Sequence, residues 1–177
     1  MRFKTTTLPG VFLIELEPHS DERGFLARSF CAEEFQRAGL NTHWPQCNTT
    51  LTRRKGMIRG LHYQAEPHSE TKLIHCTAGA VWDVVADVRP ESATFGRWEK
   101  FELAAGDLRQ LYVPAGFAHG FQCLEDDSRL FYQMSASYQP GLARGVRWND
   151  PDLKIPWPIQ ASELSEPDRN LPSLRPA

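Results

Sequence analysis

Along most of the chain, short apolar or alternating runs are separated by turn residues. Such runs occupy residues 11–16, 25–30, 47–51, 57–63, 72–77, 80–88, 97–103, 109–113, 116–124 and 128–135. Turn signals recurring at roughly 8- to 12-residue spacing predict a sandwich or barrel of short strands. Asp21, Glu22, Arg23 and Gly24 form one such turn, ahead of the run at 25–30. One helix is expected, at 31–38, with Phe35 as its apolar anchor and Gly39 as its stop. From Pro151 the chain becomes proline-rich, which predicts a tail wrapped over the surface. Within it Ser165 is placed to cap a short helical turn, with Asp168 three residues on.

Successive strand residues point to opposite faces, so the runs also predict who shares a face. Val81, Asp83, Val85 and Asp87 share one, and Trp82, Val84, Ala86 and Val88 the other. Phe117, His119, Phe121 and Cys123 fall together, as do Leu130, Tyr132 and Met134. An inward set that mixes apolar and titratable residues suits a barrel whose mouth holds a ligand. Arg59 and His62 have opposite parity and cannot both point inward from a regular strand. A bulge at Gly60 would bring them to the same side.

A length of 177 residues fits one domain, spanning 1–177, with room for a full core. A formal net charge of -2 and a pI near 6.3 leave no electrostatic footprint for nucleic acid. The first ten residues are threonine-rich without an apolar centre, unlike a signal peptide. No apolar stretch approaches ~18 residues, so no helical membrane span is expected. Cys31, Cys47, Cys76 and Cys123 are scattered, without a C-x-x-C pair. That pattern fits reduced thiols in a cytoplasmic protein, with Cys76 and Cys123 as small core residues.

Candidate chemistry concentrates in a few positions. His62 is either a hydrogen-bonded structural histidine or a general base, and a base needs a partner that fixes its tautomer. Arg59, inside an apolar strand, needs an anion, and a phosphate would serve. Lys72 is either a solvated edge lysine or a cation for a developing oxyanion. Asp83 also needs a partner, either His119 or a cation. Tyr132 is either core or an acid delivering a proton from the face opposite a histidine. Together these residues suit proton transfer next to a carbonyl on an anionic substrate. The segment P-A-G-F-A-H at 114–119 matches the second half of the cupin signature, but the strand with His62 lacks the H-x-H pair of metal-binding cupins. No metal and no redox cofactor is expected.

The chain resembles the family of dTDP-4-dehydrorhamnose 3,5-epimerases almost end to end. The motifs are D-E-R-G-F at 21–25, R-G-L-H-Y-Q at 59–64, K-L from Lys72 and D-V-R-P-E-S-A-T-F-G-R-W at 87–98. They continue with Q-L-Y-V-P-A-G-F-A-H-G-F at 110–121, the Tyr132 strand, W-N-D-P at 148–151 and I-P-W-P at 155–158. The resemblance implies an all-β double-stranded β-helix, a cupin jelly roll, with a short N-terminal helix and an irregular C-terminal tail. It implies His62 as the base, oriented by Asp168, with Tyr132 as the acid and Lys72 on the enolate oxygen. Arg59, His119, Gln46 and Asn48 would hold the sugar and diphosphate. Tyr138 would stack on the nucleotide base. A homodimer is implied, with sites completed across the interface by Arg23 and Phe25. The implied substrate is a nucleotide-activated 4-keto-6-deoxyhexose, inverted at C3 and C5.

Four positions depart from the family pattern. Arg28 stands where an acidic residue is frequent, Cys47 where aspartate is usual, Arg144 where a glutamate often precedes the glycine, and Pro167 where lysine is common. A carboxylate replaced by arginine can reverse preference for a neighbouring group. The departures therefore bear on the nucleotide or sugar rather than on the reaction type. Two other readings stay open: a relative that inverts one centre or isomerises the ketone, and a non-catalytic cupin that binds a nucleotide sugar.

Overall fold

The computed structural model describes residues 1–175. The chain runs through β1 (Arg2–Thr5), β2 (Phe12–Glu15), β3 (His19–Asp21), β4 (Gly24–Leu26), α1 (Ala32–Arg37) and β5 (Gln46–Thr52). Then come β6 (Ile58–Gln64), β7 (Lys72–Ala78), β8 (Ala80–Asp87), β9 (Trp98–Ala104), β10 (Arg109–Val113), β11 (Phe117–Cys123) and β12 (Ser128–Met134). A single 3₁₀ turn (Pro140–Leu142), β13 (Ala143–Gly145) and α2 (Glu166–Arg169) complete it. One large sheet has six strands in the order β1-β2-β10-β7-β12-β5, a second has five in the order β13-β6-β11-β8-β9, and β3 and β4 pair in a separate two-stranded sheet. Consecutive strands often belong to different sheets, and the pairings are antiparallel. This is the double-stranded β-helix of the cupins.

The expected alternation explains how the layers close. Val81 and Val85 face a core between the sheets, with Ile74, Leu111, Phe121 and Leu130. Trp82, Val84 and Ala86, on the other face of β8, and Val88 just beyond its end are also buried. The C-terminal tail covers them: Leu153, Ile155 and Trp157 pack there, with Trp157 and Trp82 ring centroids 5.4 Å apart. The tail is anchored by the Trp98 and Trp157 indole N–H groups, which donate to the carbonyls of Leu153 and Trp148. The other sheet is covered by α1, whose Phe35 is fully buried against Ile14, Leu73 and Tyr112. A side chain of this size contributes about 1.5–3 kcal/mol on burial.

The helix lies within its expected span, bounded by Cys31 and Ala38. The strand expected at 25–30 is shorter, ending at Leu26 and pairing only with β3. Strands β1, β3 and β13 carry no recognisable alternation. All three are short and largely exposed, so no buried face imposes a period on their sequence. No helix among the described residues is long and apolar enough to cross a membrane.

Candidate active site

One end of the space between the sheets is apolar and filled, while the other opens into a cavity of about 270 Å³. The five-stranded sheet contributes Arg59 and His62 from β6 and His119 from β11. Facing them, the six-stranded sheet contributes Asn48 and Thr50 from β5, Lys72 from β7, and Tyr132 and Met134 from β12. Ser165 and Asp168, from the tail, close the edge.

Arg59 and His62 share this cavity because β6 is bulged. His119 pairs with His62, and Phe121 with Arg59, so two steps along β11 match three along β6. The extra residue reverses the parity, as expected at Gly60. Gly60 has φ of 107°, and a Cβ there would lie 2.7 Å from Gly120 Cα. The Gly60 N–H instead donates to Asp168 Oδ2 at 3.2 Å. Asp168 Oδ1 meets His62 Nε2 at 2.7 Å. Ser165 caps α2 by accepting from the Asp168 N–H, which fixes the carboxylate beside β6. Burial pushes the Asp168 carboxyl up, but the His62 hydrogen bond and charge, with Gly60 and Ser165, hold it below its ordinary value.

His119 makes a second imidazole–carboxylate couple, with Nε2 at 2.8 Å from Asp83 Oδ2. Asp83 is fully buried, and its Oδ1 has no hydrogen-bond partner among the described residues. Burial pushes its carboxyl up, opposed by His119 and by the more distant charge of Lys72. The Tyr132 ring stands edge-on to His119, with centroids 5.9 Å apart. Burial, and then the negative charge of Asp83, push the Tyr132 phenol well above its ordinary value. Lys72 Nζ lies 3.3 Å from the His62 carbonyl and 3.2 Å from Glu70 Oε1. Arg59 is held by Thr52 Oγ1 and the Leu51 carbonyl, leaving part of its guanidinium for a ligand.

A larger cavity of about 500 Å³ adjoins the first and shares Asn48, His62, Met134 and Asp168 with it. Tyr138, Glu70, Arg144 and Pro167 are among its walls. Gln46 sits at the end of β5, where its Oε1 accepts from the Tyr138 N–H at 2.8 Å and its Nε2 reaches Asn48. Arg23 and Phe25 are not brought to these cavities. They stand on the β3–β4 hairpin, where Phe25 is 61% exposed and Arg23 pairs with Asp21. Of the departing positions, Arg144 and Pro167 line the outer cavity. Arg28 instead pairs with Glu34 at 2.8 Å, and Cys47 is exposed with its side chain off both cavities.

Thr50 and Glu70 were not anticipated from the sequence. Thr50 shares the parity of Asn48 on β5, and Glu70 stands two residues before Lys72 where β7 begins. Strand parity would have found the first, and a carboxylate spaced for the same face as Lys72 the second.

The family model described as dTDP-4-dehydrorhamnose 3,5-epimerase matches residues 5–176. The chain is 41% identical over 166 residues to dTDP-4-dehydrorhamnose 3,5-epimerase of Shigella flexneri, covering 93% of this chain and 91% of that one. The crystal structure of dTDP-4-dehydrorhamnose 3,5-epimerase from Bacillus anthracis with TDP and PPi bound is 38% identical. It superposes with a TM-score of 0.94, over 97% of this chain and 98% of that chain. ChmJ, a 3'-monoepimerase from Streptomyces bikiniensis in complex with dTDP-quinovose, is 37% identical with a TM-score of 0.90, over 96% and 86%. Sequence and architecture thus agree along nearly the whole length, and the chain belongs to the dTDP-4-dehydrorhamnose 3,5-epimerase family.

Proposed function

We propose that this protein is an isomerase that inverts C3 and C5 of a nucleotide-activated 4-keto-6-deoxyhexose, of the type dTDP-4-keto-6-deoxyglucose to dTDP-4-keto-L-rhamnose. The observation that carries this reading is the arrangement of His62 and Tyr132. They come from facing sheets into one cavity, with Lys72 on the strand next to Tyr132's in the same sheet and Asp168 behind His62.

The ketone at C4 acidifies the hydrogens on C3 and C5. His62, held in one tautomer by Asp168, takes one of these protons. The electron pair moves into an enolate, whose oxygen is met by the Lys72 ammonium. Tyr132 returns a proton to the opposite face of the flat enolate, which inverts the carbon. His62 then releases its proton, and Tyr132 regains one, restoring both groups. Burial and the Asp83 charge keep Tyr132 in the protonated form a donor requires. Repeating the cycle at the second carbon completes the reaction with the protein's own side chains.

Arg59 and His119 bind the sugar and diphosphate, with Gln46 and Asn48 at the rim. The nucleotide occupies the outer cavity, where Tyr138 offers a face for its base. Arg144 and Pro167 tune nucleotide preference there. Arg23 and Phe25 complete the site of a second copy in a homodimer; their exposure and distance from this chain's own cavities support that. The free thiols agree with a cytoplasmic setting.

The test is incubation with dTDP-4-keto-6-deoxyglucose in heavy water, read by NMR and mass spectrometry. Deuterium at C3 and C5 with an inverted product is expected. Label at one carbon would replace this reading with a single-centre epimerase, as ChmJ is described. Binding without label would overturn catalysis on this sugar.

A further inference from the structure

The Glu70 side chain is more than nine-tenths buried, at 8% exposure, yet only one of its oxygens is engaged. Oε1 lies 3.2 Å from Lys72 Nζ. Oε2 is buried without a hydrogen-bond partner among the described residues. A buried carboxylate oxygen left unpaired is costly, so this atom calls for a donor, and a ligand hydroxyl in the adjoining cavity can supply it. Glu70 lines the outer cavity, and its contact with Lys72, which lines the inner one, puts it where the two cavities meet. The other carboxylate lining either cavity is Asp168, and both of its oxygens are engaged, by His62 and by the Gly60 N–H. Among the carboxylates that line either cavity, Glu70 Oε2 is therefore the one oxygen without a hydrogen-bond partner among the described residues.

We propose that Glu70 is a specificity-determining residue that accepts a hydrogen bond from the hydroxyl on the carbon next to the sugar's ketone. The inference rests on the enolate reading given above. With Lys72 on the C4 oxygen, the hydroxyl next to the ketone is the one at C3, because C5 carries the ring oxygen and the methyl group. In the enolate formed across C3 and C4, that hydroxyl and the anionic oxygen lie side by side in one plane. The Glu70–Lys72 pair presents the complementary edge, a carboxylate oxygen for the hydroxyl and an ammonium for the oxyanion. Its two oxygens then have separate tasks: one holds Lys72, the other reads the substrate.

The test compares dTDP-4-keto-6-deoxyglucose with its 3-deoxy counterpart, reading deuterium uptake at C5, a carbon common to both. The intrinsic difference in acidity between the two sugars is the same for every enzyme form, so the change in their kcat/KM ratio isolates the contact. The unaltered protein is expected to favour the 3-hydroxy sugar by about tenfold or more. In Glu70→Ala the ratio should collapse to within about threefold, whatever happens to the absolute rates through Lys72. In Glu70→Gln, where the amide oxygen still accepts, an intermediate ratio is expected, and this variant serves if the alanine form folds poorly. An unchanged ratio in both variants overturns the contact and leaves Glu70 as a support for Lys72. Exchange at normal rates without any preference in the unaltered protein overturns it as well. Exchange of neither sugar overturns the epimerase reading itself, and this inference with it.

Discussion

His62 and His119 are direct register partners across β6 and β11, yet each is held by a different carboxylate in a different environment. The His62 side chain is 47% exposed into the cavity and leans on Asp168, which arrives from the tail. The His119 side chain is 5% exposed and leans on Asp83, which is buried in the neighbouring strand. A histidine that must gain and lose protons needs access to solvent and substrate. The His119 ring, buried against Asp83 while still lining the cavity, suits contact with a ligand rather than the shuttling of protons.

The two should therefore fail differently. His62→Ala is expected to lower kcat by about 10²–10⁴-fold while nucleotide affinity stays within about threefold, because the base acts on the transition state. His119→Ala strands the Asp83 carboxylate and should cost about 3–5 kcal/mol of stability. Turnover and titration calorimetry check the first, and denaturant unfolding the second. A large affinity loss with normal turnover in His62→Ala would remove it from the role of base.

Tyr132→Phe should slow inversion more than deuterium exchange. His62 can still remove the substrate proton, and a returned proton or solvent deuteron can enter from the original face. NMR of recovered substrate and product separates the two rates. Equal losses would argue against Tyr132 as the face-specific donor. Because burial and Asp83 push the phenol up, kcat should show no alkaline limb from Tyr132 near the usual tyrosine value of about 10.

Asp87 offers a test of stability away from the cavity. It is buried at the end of β8, where Arg89, Ser92 and Thr94 donate to it. Burial pushes its carboxyl up, but these hydrogen bonds outweigh it and hold the folded value well below the ordinary one. A depressed folded pKa contributes stability that is present above the unfolded value, about 3.9, and is lost as pH falls through the folded value. Asp87→Asn should lower Tm at pH 7, and its gap to the unaltered protein should narrow as pH drops below about 4. A gap of constant size down to pH 3 would contradict the linkage.

Gly60→Ala probes the bulge that aims Arg59 and His62 together. The backbone has φ of 107°, and the new Cβ would lie 2.7 Å from both Gly120 Cα and the His119 carbonyl. Neither contact is the end of a flexible side chain, so β6 and β11 must separate. A loss of roughly 3 kcal/mol or more is expected, with loss of activity in whatever remains folded. Thermal unfolding and exchange assays check it, and an active variant of normal Tm would show that the bulge is not needed.

Much of this arrangement was legible before the structure, for reasons that differ by residue. The two faces of β8 followed from alternation, because each face is buried against a different layer. The parity conflict between Arg59 and His62 pointed to Gly60, since two residues of opposite parity can line one cavity only where the strand is bulged. Asp168 was another matter. It lies 106 residues from His62, and no local pattern joins them; the family resemblance named it, and the Ser165 cap alone was readable. Glu70 went unread because a carboxylate at a strand start looks like an ordinary exposed end until its burial is known. Of the β3–β4 hairpin, the turn and the strand after it were legible, but not β3 or the early end of β4, since both strands bury nothing within this chain.

That exposed hairpin leads to the sharpest test of the proposed dimer. If Arg23 and Phe25 complete the site of a second copy, a chain with His62→Ala still donates an intact hairpin. A chain with Arg23→Ala still carries an intact base. In a mixed dimer, the site containing His62 then receives Arg23 from the His62→Ala chain and is whole, while the other site has both defects. Random exchange makes half the dimers mixed, each with one working site of two. Unfolding together and refolding an equal mixture of the two inactive variants should therefore restore about a quarter of the unaltered activity, a value set by combinatorics. Sedimentation should show a dimer throughout. A mixture as inactive as its parents, with exchange verified by mass-tagged chains, would mean that Arg23 serves no neighbour's site.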